Sequence, residues 1–73
     1  MDKSDIKKAI MDQFKAVNAK SGDSLDQRWF NMTFMQSLKP EEQKLVNPAL
    51  KELEEEGLIK VEIKLSAQVI VLA

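Results

Sequence analysis

Few side chains in this sequence can do covalent or acid–base chemistry, and their spacing argues against it. There is no histidine to serve as a general base or metal ligand, and no cysteine to serve as a nucleophile. Ser4, Ser21, Ser24, Ser37 and Ser66 stand without a base or an oxyanion motif around them. The carboxylate pairs Glu41/Glu42 and Glu54/Glu55 fall on exposed helix turns, where like-charged neighbours keep a surface solvated rather than share a proton. Gly22 and Gly57 form no phosphate-binding loop. A three-helix core also has little room for a substrate pocket. The expectation is a protein that is not an enzyme, with no cofactor, no metal and no small-molecule substrate.

The chain must still hold itself together. Its 73 residues suffice for one domain over 1–73. A chain this short buries about 60–65% of the surface its unfolded form exposes. Without cysteine there is no disulfide staple, and without cysteine or histidine no ordinary structural zinc site. Apolar packing, alone or shared with a second copy, has to carry the fold. Eleven basic and twelve acidic residues leave a net charge of −1, which removes bulk attraction to phosphate but leaves room for a local basic patch. Met1-Asp2-Lys3-Ser4-Asp5 lacks the apolar run of a signal peptide, and no stretch approaches the roughly 18 apolar residues of a membrane span. A cytoplasmic protein with no membrane partner is expected.

Over residues 5–19, Ile6, Ala9, Ile10, Phe14 and Val17 fall in a sector of about 140°, which predicts an amphipathic helix. Ser4 is the expected N-cap, Asp5 suits the positive end of the dipole, and Gly22 is the expected stop. Lys7, Lys8, Asp12, Lys15 and Lys20 lie outside the stripe and should be solvated, whereas Gln13 points into it as a flank or interface position. Leu25 to Leu38 is ambiguous. Phe30, Met32 and Phe34 alternate with polar residues as in a strand, while on a helix Leu25/Trp29/Met32 and Phe30/Phe34/Leu38 make two stripes. A helix lodged between two others fits this pattern, so we expect one over 27–37, entered through Asp26 after an extended stub at 23–25. Pro40, Glu41 and Glu42 open a third helix whose Leu45, Val46, Ala49, Leu50 and Leu53 share a sector of about 140°. Pro48 either kinks that helix or, with Asn47 as cap, begins another.

The helix stops at Gly57 and turns directly into Leu58–Leu65, where Val61, Ile63 and Leu65 take one face and Glu62 and Lys64 the other. Ser66-Ala67-Gln68 is the expected connection to a second strand, Val69–Leu72, without an Asn-Gly turn signal. The fold class is therefore α+β: three helices and a C-terminal β-hairpin. In that layout, Ala49-Leu50-Lys51-Glu52-Leu53-Glu54-Glu55-Glu56-Gly57-Leu58-Ile59 resembles the third helix and first wing strand of the winged helix-turn-helix family. The resemblance covers residues 5–73 in layout and about 45–61 in recognisable residues.

That resemblance implies a DNA-binding or transcription-regulatory module whose third helix enters the major groove while the wing touches the backbone. Carried onto this chain, it assigns Lys44 and Lys51 to phosphates, Asn47 to a base edge, and Lys60 and Lys64 to the wing. The chain departs from the family pattern in two respects. Arg28 is its single arginine, and the helix opens on acids while the wing connection carries no positive charge. The alternative is a protein–protein interaction domain of the same fold, a homodimer or a partner-binding module without nucleic acid. Trp29, Phe30, Met32, Phe34 and Met35 are expected in the core, with Met11, Trp29 and Met35 able to add an interface. The last strand, ending at Ala73, is expected to leave an unprotected sheet edge.

Overall fold

The computed structural model describes residues 1–73. Its first helix, Lys3–Ala16, starts at Asp2 rather than Ser4. The Asp2 carboxylate accepts the Asp5 N–H at 2.9 Å, and the Asp5 carboxylate accepts the Asp2 N–H at 3.2 Å. This reciprocal capping box satisfies two otherwise orphaned donors, so Ser4 is left inside the helix and exposed. The stop also differs from expectation. Asn18 takes a left-handed φ of 52°, donating to Lys15 at 3.1 Å while Ala19 donates to Phe14 at 2.9 Å. That is a Schellman ending with asparagine in glycine's role. Val17 consequently lies past the stripe and is 59% exposed, and Gly22, at φ 94°, serves a later turn.

The middle helix occupies residues 27–37, entered through Asp26, whose carboxylate accepts the Arg28 N–H at 2.8 Å. Its central stretch, Trp29–Phe34, is π-helical; the Met35 N–H reaches back five residues to Phe30. On an α-helix, residues five apart stand about 140° from each other. The wider π turn brings them onto one face, so Trp29 and Phe34 stack with centroids 5.1 Å apart and planes at 17°. Phe30 stacks on Phe34 as well, at 6.0 Å. The two stripes read from the sequence thus merge into one, and Met32, expected in the core, is 71% exposed. Gln43 of the next helix donates to the carbonyls of Met35 and Leu38 at 3.0 and 3.3 Å, which caps the middle helix across a tight turn.

The third helix, Pro40–Glu55, is continuous through Pro48, which stands on its exposed side. There is no second helix. Glu42 accepts the Lys39 N–H at 2.8 Å at the start. At the end Gly57 adopts φ 77°, donating to Glu54 at 3.0 Å while Leu58 donates to Leu53 at 3.0 Å. This second Schellman turn reverses the chain into β1, Ile59–Lys64.

β1 pairs antiparallel with β2, Ala67–Leu72, from Ile59↔Leu72 to Lys64↔Ala67. The connection is Leu65–Ser66, not 66–68. Both residues have positive φ, 50° and 64°, as in a type I′ turn. The expected stub is present and lies on the far side of β2. Leu25 donates to Ile70 at 2.7 Å, Leu72 to Asp23 at 2.8 Å and Gly22 to Leu72 at 2.8 Å, with Ser24 bridged to Val71. The final strand is therefore interior, contrary to expectation, and β1 carries the free edge. Ile6, Ile10 and Phe14, then Leu25, Phe34 and Leu38, then Val46, Ala49, Leu50 and Leu53 meet Ile59 and Ile70 in one core. Beyond Val61 the ribbon overshoots the helices, leaving Ile63 80% exposed. No helix is long and apolar enough to cross a membrane.

Phe34 and Met32 separate the π-helical packing from a plain α-helical one. Phe34→Ala is expected to lose about 3–5 kcal/mol and Met32→Ala less than about 0.5 kcal/mol, read by urea unfolding. Replacing the strained turn by Leu65→Asn with Ser66→Gly relieves left-handed backbone and should stabilise by about 1 kcal/mol, a Tm rise of about 4–8 °C.

Candidate functional site

The outer side of the third helix holds Lys44, Asn47 and Lys51, all exposed. At 100° per residue the two lysines lie about 20° apart with Asn47 about 60° to one side, so they form one stripe. Neither lysine is held by an ion pair. The stripe is not basic throughout, because exposed Glu41 and Glu55 share it.

Lys60 and Lys64 occupy a different surface. Ile59 and Ile70 point into the core, so strand alternation turns Lys60, Glu62 and Lys64 away from the helices. Together with Ser21, Gly22 and Ser24 they line an open concavity of about 430 Å³ that includes no residue of the third helix. Lys64 is paired with Glu62 at 3.4 Å. The five residues assigned to nucleic acid by resemblance thus fall into two groups: three on the helix and two on the outer face of the ribbon.

Met11, Trp29 and Met35 are half-buried, and each packs against the core. Trp29 is further covered by its stack on Phe34. The most exposed large apolar groups are others: Met32, Ile63 at 80% exposure and Leu65 at 101%. The sequence carried a signal for the last two. The apolar alternation Ile59, Val61, Ile63, Leu65 runs further than three short helices can cover, and its last members had to emerge at the ribbon's end.

Glu42 and Glu52 of the third helix, and Glu56 just past its end, are held by ion pairs to the N-terminal segment. Lys7, expected to be solvated, bridges Glu52 at 3.3 Å and Glu56 at 2.8 Å, while Lys3 also pairs with Glu52 and the Met1 amino group with Glu42. The hydrogen bond from Lys3, aided by Lys7, holds the Glu52 carboxyl below the usual carboxylate range. Glu42 is lowered by its bonds to the Met1 amino group and the Lys39 N–H. Lys7 is raised, chiefly by its bond to Glu56. Glu54 faces the ribbon instead, accepting the Val61 N–H at 3.2 Å.

Comparison with protein-family models, with curated proteins and with solved structures finds no match for this chain. The geometry on its own offers two surfaces for contact: a mixed-charge helical stripe and an apolar ribbon end beside a free strand edge.

The first and third helices are linked by a pH-dependent contact with a definite sign. A carboxyl whose pKa is lowered by folding contributes stability above the usual carboxylate range and loses it as pH falls through the lowered value. Glu52→Gln should therefore be less stable than the parent in urea at about pH 7, with the difference shrinking as the pH falls through the lowered Glu52 value and also narrowing in high salt.

Proposed function

We propose that this chain is a cytoplasmic winged-helix-like module that works by protein contact, with the end of its β-ribbon as the contact surface. The winged-helix reading is supported by the order helix, stub, helix, helix, hairpin, with the stub paired to β2. The contact reading is carried by Leu65. It is fully exposed at 101% and sits at φ 50°, where a leucine side chain is strained and Asn or Gly would be relaxed. A large apolar residue kept in a costly backbone state on the surface has a use outside the fold. Ile63 extends the same apolar end.

A second reading, DNA binding for transcription regulation, draws on the stripe of Lys44, Asn47 and Lys51, because both lysines are free of intramolecular ion pairs. Lys60 and Lys64 would have to act from the separate outer face of the ribbon. Glu41 and Glu55 beside the stripe weaken it as a phosphate surface.

Two measurements divide the readings. Under protein contact, sedimentation shows an association that Ile63→Ser with Leu65→Ser abolishes without changing the circular dichroism spectrum. Duplex DNA then gives no shift near physiological salt. Under DNA binding, affinity falls steeply with salt and Lys44→Glu with Lys51→Glu removes it, while the ribbon variant binds as the parent does.

A further inference from the structure

The backbone of β1 shows which of its groups are free. The Ile70 carbonyl accepts Leu25, the Leu72 N–H donates to Asp23 and the Leu72 carbonyl accepts Gly22, and the Gln68 carbonyl accepts the Gln27 side chain at 3.3 Å. Their partners across the ribbon, Val61, Ile59 and Ile63, must then turn their own N–H and C=O away from β2. Val61 does so visibly, since its N–H is held by Glu54. β1 therefore presents a ladder edge built from Ile59, Val61 and Ile63, with Lys60 and Glu62 standing between them on the solvent face.

This edge is complementary to itself. Laid antiparallel about Val61, a second copy sets Ile59 against Ile63 and Val61 against Val61, all with outward-facing amides, so the hydrogen-bond ladder closes. On the solvent face Lys60 of each copy meets Glu62 of the other, twice across the two-fold axis. A slip of two residues in either direction sets Lys60 against Lys60 or Glu62 against Glu62, and a slip of one turns the amides the wrong way. Among registers within two residues of this one, it alone satisfies both hydrogen bonds and charge; a slip of four sets Glu62 against Lys64 but keeps only residues 62–64 of β1 in the ladder.

The same register places partners beside the two most exposed apolar groups of the single chain, Ile63 and Leu65. Ile63 comes opposite Ile59 of the second copy. Leu65 comes level with Gly57 of the second copy, where an added Cβ meets nothing within 4 Å, beside Leu58, which is 42% exposed. We infer that the protein docks a second copy of itself along β1, antiparallel and centred on Val61, to make one continuous sheet. The inference rests on the protein-contact reading and names its partner. Glu54 gates the dock, because its carboxylate must release the Val61 N–H before the ladder can close.

Sedimentation equilibrium on the full chain tests it. Lys60→Glu alone and Glu62→Lys alone each oppose like charges twice, and each should raise the dimer dissociation constant by about tenfold or more. An equimolar mixture of the two variants should recover association, since opposite charges then meet at both positions. Glu54→Ala should tighten the dimer. All three positions are exposed, and circular dichroism checks that each variant is folded. Parent and Glu54→Ala chains that both remain monomeric up to about 1 mM overturn the inference. A dimer that the charge variants leave unmoved, but that Ile63→Ser with Leu65→Ser abolishes, overturns the β1 register while the protein-contact reading stands.

Discussion

The reversal at Gly57 is the constraint on which the rest of this small fold depends. The third helix contributes four of the core's side chains, Val46, Ala49, Leu50 and Leu53, and the ribbon contributes Ile59 and Ile70. These can share one interior only if the chain turns back within two residues of the helix end. A left-handed residue at Gly57 achieves this, with φ 77° and the paired bonds Gly57 to Glu54 and Leu58 to Leu53. A side chain at that φ would be strained even though the space beside it is open. With no disulfide and no structural metal, a chain of this size has little other stability to draw on if helix and ribbon part company.

How much of this was legible follows from whether a feature depends on local pattern or on tertiary partners. The third helix and its glycine stop were readable because a leucine stripe, a proline at the first turn and a glycine at the end all agree. The middle helix was readable in position, including the Asp26 entry and the extended stub, but not in its winding. Nothing local announces a π turn. It is chosen because Trp29 and Phe34, five apart, gain a stack that α geometry would deny them. The start of the first helix was misplaced because Asp2 and Asp5 can cap each other as well as Ser4 could have capped alone. Its end was misplaced because asparagine did what glycine usually does.

The candidate contact residues were legible as exposed positions and no further. Periodicity put Lys44, Asn47 and Lys51 on one outer stripe, and that grouping holds, while Lys60 and Lys64, assigned to the wing by resemblance, share the ribbon's outer face. What periodicity cannot give is how two surfaces are oriented to each other, which here separates the groups. Nor can it tell a solvated charge from a spent one. Lys7 looked like surface, yet it lies between Glu52 and Glu56 and helps bind the first helix to the third. Met11, Trp29 and Met35, expected to combine core and interface, are half-buried against the core, and such flank positions depend most on neighbours from other elements.

The ribbon is where local preference and the chain's own choice disagree, and the disagreement is informative. A two-residue hairpin turn with both φ positive favours Asn-Gly, but Leu65 and Ser66 occupy it. The opposite economy appears at β2, whose outer edge is closed by three backbone bonds from residues 22–25 and one from Gln27. A sheet that closes one edge so completely, guards the other with a single carboxylate from Glu54, and keeps a leucine under strain at the open end is asymmetric in a specific direction. Strain and exposure fall on the β1 side, the protected hydrogen bonds on the other. Within one chain that asymmetry lowers stability for no gain; between two chains it defines which edge meets which.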